Sequence, residues 1–165
     1  MSTALVILAA GKGTRMLSDL PKVLHPIAHA PMLAHAMRTG AALDPERIVI
    51  IAGVGAEAVT KAAHEVDETA EIVLQTEQHG TAHAVAQARE TLDGFTGDVF
   101  VLFGDTPFLQ PETLQRMQDA RANFDLVVLG FHAADPGRYG RLVMQGDDLD
   151  RIVGSIDKAL TEVFG

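Results

Sequence analysis

The sequence predicts an α/β fold, a Rossmann-like three-layer α/β/α arrangement built on a mostly parallel sheet. Three observations lead there. Apolar runs rich in Val, Ile and Leu recur along the chain and are nearly continuous rather than alternating, the pattern of strands covered on both faces. Segments of helical composition and period lie between them, and strands that alternate with helices build parallel sheets through right-handed crossovers. Hydrophobic residues make up 47% of the 165 and aromatics only 5%, so the core between those layers must be packed from Ala, Val, Leu and Ile.

Taken in order, residues 4–8 form the first strand and run straight into Gly11-Lys12-Gly13. Residues 32–43 have helical period and end at Asp44-Pro45, a loop signal. A second strand is expected over 47–52, a glycine-punctuated loop over 53–55 and a helix over 56–65. The third strand covers 71–74 and its helix 82–92; the fourth covers 99–103 and its helix 111–122. Pro111 begins that last helix, where a missing N–H costs least. A fifth strand is expected over 126–131. After Asp135-Pro136-Gly137 the rhythm changes, and residues 141–145 and 149–153, joined across Gly146-Asp147, read as a hairpin. There is no internal repeat, linker or low-complexity tract, so residues 1–165 are expected to form a single domain.

Charge and composition exclude several classes. The formal net charge is −9 and no Lys/Arg-rich run occurs, which lacks the electrostatic footprint of a nucleic-acid binder. With no Cys, neither disulfides nor thiolate metal sites can form. The apolar stretch 4–10 is far shorter than the roughly 20 residues of a membrane span. No basic region precedes it, so it does not read as a signal peptide either. A cytoplasmic protein without nucleic-acid or membrane partners is expected, with self-association left open.

The strongest chemical signal is the stretch from Leu8, Ala9, Ala10 and Gly11 through Gly13, Thr14, Arg15 and Met16, followed by Pro21-Lys22. Gly11 and Gly13 let backbone approach a ligand and turn N–H groups outward, and Ala9 and Ala10 keep the approach open. Arg15 offers a planar fork of donors for phosphate oxygens, and Lys22 a mobile point charge. The spacing is not that of a P-loop, and Met16 stands where a dinucleotide fingerprint needs its third glycine. A bare Gly-x-Gly is ordinarily a strand-to-loop turn; Thr14, Arg15 and the Pro-Lys pair travelling with it point to a phosphate.

Two further segments follow strands. Gln75 can present both a donor and an acceptor to a base edge, as the imide face of uracil requires. Gly80 permits close approach, and Thr81 can cap the helix and reach a ligand; ordinary capping beside an exposed Gln is the alternative. Asp105, in Phe103-Gly104-Asp105-Thr106-Pro107, is placed either to hold Mg²⁺ or to close an Asx-turn on its own backbone. Tyr139-Gly140-Arg141 reads as a turn into the hairpin. His79 and His83 are spaced i, i+4, but no carboxylate follows at a suggestive distance, so zinc is not expected there.

Together these segments resemble the N-terminal uridyltransferase domains of the bacterial bifunctional N-acetylglucosamine-1-phosphate uridyltransferases, from about residue 4 to residue 153. The resemblance implies a nucleotidyltransferase fold of the GT-A-like kind. It also implies Mg²⁺ as cofactor and UTP and a sugar 1-phosphate as substrates, UDP-N-acetylglucosamine and pyrophosphate being the products. It assigns the triphosphate to Leu8, Ala9, Gly11, Arg15 and Lys22, uracil to Gln75, Gly80 and Thr81, metal to Asp105, and sugar to Gly140.

The pattern departs in places. Phe103 replaces a tyrosine, Gly154-Ser155-Ile156-Asp157 stands where a Glu and a Lys-Asp pair are usual, and an Asn-Thr-Gly motif with a later Asn falls past residue 165. A C-terminally incomplete domain without the acetyltransferase β-helix is therefore expected. A non-catalytic nucleotide-binding module, or the same fold using CTP or GTP, is the alternative.

Overall fold

Strand β1 (Thr3–Ala9) lies inside the sheet, as its unbroken run of apolar side chains requires. A computed structural model describes residues 2–153 apart from 12, 14, 15, 17, 78, 138, 146 and 147. Strands β2 (Pro26–Ile27) and β3 (Ala30–Pro31) follow, then helix α1 (Met32–Gly40), strand β4 (Arg47–Ala52) and helix α2 (Ala56–His64). Next come β5 (Glu71–Leu74), α3 (Thr81–Ala86), β6 (Asp98–Phe103) and α4 (Pro111–Arg121), and a final pair β7 (Arg141–Gln145) and β8 (Asp148–Val153). The main sheet runs β5-β4-β1-β6, and every neighbouring pair in it is parallel.

That order determines where the helices lie. From β1 the chain steps through β4 to β5, then crosses back to place β6 on the other side of β1. Right-handed crossovers that travel in opposite directions lie on opposite faces. Leu33, Ala36 and Met37 of α1, Val59 and Ala63 of α2, and Leu114 of α4 accordingly pack on one face, against Leu5, Ile7, Ile48, Ile50, Phe100 and Leu102. Ala84 and Ala88 lie on the other face, against Val6, Val49 and Ile51. The three layers and the parallel sheet are as the sequence predicts, and the core is aliphatic. No helix among the described residues is long and apolar enough to cross a membrane.

Four local features differ from expectation. Residues 126–131 form no strand, and Leu126, Leu129 and Phe131 remain exposed. An apolar run becomes a strand only where a neighbour receives its backbone groups. Strand β6 is the last of its sheet, and nothing among the described residues pairs with its outer edge. Val99, Val101 and Phe103, on the face of β6 opposite Phe100 and Leu102, are 38–44% exposed.

Residues 32–43 split into α1 and a 3₁₀ turn at Ala41–Leu43, stopped by the left-handed Asp44. The helix expected over 82–92 is regular only to Ala86. Beyond it the N–H groups of Gln87, Ala88 and Arg89 bond three residues back, while Ala88 and Leu92 still pack on the sheet. The pair β2–β3 was not expected: Ala28 and His29, both at positive φ, form its two-residue turn. The hairpin β7–β8 matches its prediction, with a register shift between Val143 and Met144.

Candidate active site

Because β1 and β6 are neighbours whose following connections run apart, a crevice opens beyond their carboxyl ends, where ligands of open α/β sheets bind. A pocket of about 310 Å³ occupies it. That volume is within the range of small-molecule sites. Leu8, Ala10 and Gly11 line it from the end of β1, Gln75, Gly80 and Thr81 from the connection between β5 and α3, and Phe103 and Asp105 from the end of β6. Lys22 completes the set, so nine of the residues singled out in the sequence line one cavity.

Each is placed by backbone geometry. The sheet ladder continues one step past β4–β5 and β1–β6, through Gln75 N–H to Ala52 O at 2.8 Å and Gly104 N–H to Leu8 O at 2.9 Å. Lys22 begins a 3₁₀ turn (Lys22–Leu24) whose Val23 and Leu24 are buried. The turn thereby anchors the lysine stem while the ammonium reaches outward. Gly13 has φ +56°, and a Cβ there would stand 2.9 Å from Lys22 Cβ, so Gly13 packs directly on the lysine stem.

The ammonium of Lys22 meets Asp105 Oδ2 at 2.5 Å, with the two side chains 41% and 30% exposed. Asp105 therefore faces the pocket rather than its own turn. Beneath it, the Thr106 hydroxyl closes the turn by donating to Phe103 O at 2.7 Å. Gly80, at φ +106° and ψ −175°, precedes α3. Thr81 is the first helical residue and makes no side-chain cap, which corrects the capping role expected of it: a residue already helical cannot occupy the cap. Gln75 is 6% exposed and its amide lies against the ring of His83. The rings of His79 and His83 meet edge to face with centres 5.1 Å apart.

Other predicted residues are placed elsewhere. Ala9 turns its side chain into the core, Gly13 packs on Lys22 without lining the pocket, and Gly140 is exposed in the loop before β7. Thr14 and Arg15 lie outside the described residues. Sequence reasoning missed Val23 and Ala84, which also line the pocket. Ala84 stands three residues after Thr81 on the same side of α3, a helical spacing that could have flagged it.

A paired acidic and basic group beside Gly11, at the switch point of a parallel sheet, makes a site of the class that suits a phosphorylated ligand. Comparison with known families identifies it further. The profile of the MobA-like NTP transferase domain matches residues 5–146, and the chain belongs to that family. It is 75% identical over 153 residues to the "Bifunctional protein GlmU" of Ruegeria pomeroyi, covering 93% of this chain and 34% of that protein. The chain thus spans about a third of the length of the curated relatives it matches.

Among solved structures, UDP-glucose pyrophosphorylase complexed with UDP-glucose superposes with a TM-score of 0.72 at 20% identity, covering 94% of this chain and 69% of that one. A manganese complex of Rv0371C from Mycobacterium tuberculosis superposes with a TM-score of 0.55 at 24% identity, covering 73% and 60%. At such identities these structures share the fold. The fold class expected from the sequence and its resemblance to bifunctional uridyltransferases both stand.

Proposed function

We propose that this chain is a single nucleotidyltransferase domain that moves a uridylyl group from UTP to N-acetylglucosamine 1-phosphate, releasing pyrophosphate and giving UDP-N-acetylglucosamine. The observation that carries this reading is the meeting of Gln75, Gly80 and Thr81 with the Lys22–Asp105 pair and Gly11 in one pocket. It joins a base-reading end to a phosphate-handling end. The similarity to bifunctional GlmU proteins supports UTP and the amino-sugar phosphate as the substrates. We place the reaction with these substrates in the cytoplasm.

The acceptor is a phosphate monoester with a second pKa of about 6, so it is largely ionised at neutral pH and needs no protein base. Catalysis then rests on orientation and on neutralising charge. Gln75, Gly80 and Thr81 hold the base, and the backbone at Gly11 lies against the phosphates. Arg15 grips the β- and γ-phosphates and the departing pyrophosphate, while Lys22 neutralises charge growing at the α-phosphoryl group. Phe103 bounds the cavity without a hydroxyl to offer, and Gly140 is assigned to the sugar.

A divalent ion fits the donor set. Asp105 directs a carboxylate oxygen into the pocket and already holds a cationic group there, the Lys22 ammonium. Among the described residues Asp105 is the one acidic residue lining the pocket, which suits Mg²⁺, an ion that takes one or two protein carboxylates and otherwise binds phosphates and water. Such an ion supplies further neutralisation of the phosphate oxygens. Asp105 would hold such an ion, and Lys22 serves the nucleotide beside it.

The test is pyrophosphate release with UTP, N-acetylglucosamine 1-phosphate and Mg²⁺, run beside CTP and GTP and repeated with Asp105→Ala. UTP-selective release that disappears in the variant is the expected result. Equal release with CTP or GTP would overturn the uridine assignment. Saturable UTP binding without release would make the chain a nucleotide-binding module instead.

A further inference from the structure

We propose that His83 is a positioning residue that holds the Gln75 amide with its amino group toward the base, and so sets the preference for uracil over cytosine. The inference rests on the uridine reading above and adds a residue outside the pocket lining. Gln75 projects from the end of β5, buried, and its amide nitrogen position lies 3.0 Å from His83 Nδ1. On the other side of the ring, Gln87 Nε2 lies 3.2 Å from His83 Nε2 and also donates to the backbone carbonyl of His83 at 3.1 Å. His79, among the described residues the other titratable side chain against this ring, meets it edge to face and is bonded to Glu77 at 3.2 Å.

The hydrogens of this chain can be assigned by elimination. An amino group donates only, and two amino groups cannot both donate to one imidazole, which keeps a proton on one of its nitrogens. The Gln87 amino group is fixed by its bond to the His83 carbonyl, which needs a donor. Its second hydrogen therefore goes to His83 Nε2, and an imidazole that accepts at Nε2 carries its proton on Nδ1. An Nδ1–H needs an acceptor. The two ends of a glutamine amide occupy interchangeable positions, and the partner decides which end faces it. Gln75 accordingly turns Oε1 to His83 and its amino group into the pocket.

That orientation discriminates. Uracil carries a carbonyl oxygen, O4, where cytosine carries an amino group. The amino group of Gln75 can donate to O4, but meets another donor on cytosine, leaving buried polar groups unpaired. A Gln75 free to rotate would serve both bases. The selectivity thus lies in the helix behind the glutamine rather than in the glutamine alone.

Equilibrium binding of UTP and of CTP with Mg²⁺, each measured on the wild-type chain and on three variants, tests this, with melting curves to confirm folding. The wild type is expected to prefer UTP about tenfold or more, the scale of one unpaired buried group. In His83→Leu the preference should fall about fivefold, mainly through weaker UTP binding, because both amide orientations become available. In His83→Asp, which offers only acceptors, it should fall further as Gln75 turns its oxygen to the base. Gln87→Met, which leaves His83 in place and frees its tautomer, should lower it about threefold and covers the case of a His83 variant that does not fold.

A wild type without preference would sink the uridine reading itself. A clear wild-type preference that folded His83→Leu, or Gln87→Met in its place, retains within about twofold would leave that reading standing and overturn the positioning role. Equal weakening of UTP and CTP, with the ratio unchanged, would likewise reduce His83 to packing. A His83→Asp ratio no lower than that of His83→Leu would overturn the assigned amide orientation.

Discussion

At the scale of single residues, the pairing of Lys22 with Asp105 separates stability from function. The pair is more than a third exposed on the lysine side, and exposed ion pairs contribute at most about 1 kcal/mol to folding. Lys22→Met should therefore leave the urea midpoint nearly unchanged while cutting turnover about 10²-fold, the usual effect of deleting one charge-stabilising group. Chemical unfolding and pyrophosphate release measured on the same preparation would check both halves, and a large stability loss would mean that the lysine is structural. Arg15→Ala should also lose at least about 10²-fold in turnover, roughly 3 kcal/mol of transition-state stabilisation. A loss below about fivefold would remove the phosphate role assigned to it.

At the scale of elements, the start of α3 carries the strain of the site. Gly80 adopts φ +106° with ψ −175°, a conformation open almost solely to glycine, although nothing within 4 Å would obstruct a Cβ there. Gly80→Ala should cost about 1–3 kcal/mol through backbone strain alone. It should also weaken UTP binding, because Thr81 and Ala84 follow rigidly on it. A melting curve and a UTP titration would reveal both effects, and unchanged values would contradict this account.

The turn before β5 has a milder constraint. The hydroxyl and then the N–H of Thr69 donate to Asp67 and hold its carboxyl below the ordinary value of 3.8. A depressed carboxyl stabilises the fold above its unfolded value and loses that contribution as pH falls through its folded one. The stability gap between wild type and Asp67→Ala should accordingly be full near neutrality and close below about pH 4.

Elements also mark the limits of the sequence. Strands β1 and β4 were readable because each is a run of branched aliphatics, and a strand covered on both faces must be apolar throughout; β5 and β6 were readable as shorter apolar runs bounded by loop signals. Residues 126–131 carry the same composition yet form no strand, because pairing depends on a neighbour and the neighbour is not encoded in the run itself. The β2–β3 hairpin escaped notice because its turn residues, Ala28 and His29, are not the Asn or Gly that usually announce positive φ. In the site, Gln75, Lys22 and Asp105 were legible as chemistry beside glycines. The bond between Lys22 and Asp105 spans 83 positions and was not. The pairing of Gln75 with His83 and Gln87 was equally hidden, since spacing along a chain does not say which amide end faces which ring nitrogen.

For the whole molecule, stability is concentrated in the two interior strands. Ile50 is fully buried in the principal core beneath α1 and α2. Ile50→Ala should cost about 2–5 kcal/mol, read as a lower urea midpoint at unchanged slope. Anchors between layers are few and polar at the rim: Arg121 Nε lies 3.1 Å from Asp98 Oδ1, and Gln118 Nε2 donates to Thr3 Oγ1 at 3.2 Å. They tie α4 to the first residues of β1 and β6.

The outer flank of β6, unpaired among the described residues, has a consequence for solvent exchange. Asp98 and Gly104 donate their N–H groups inward, to Ser2 O at 3.0 Å and Leu8 O at 2.9 Å. Alternation along a strand then points the N–H groups of Phe100 and Leu102 toward β1 and those of Val99, Val101 and Phe103 toward water. Deuterium uptake along this one strand should alternate residue by residue, slow at the even positions and fast at the odd ones, whereas β1, paired on both sides, should be uniformly slow.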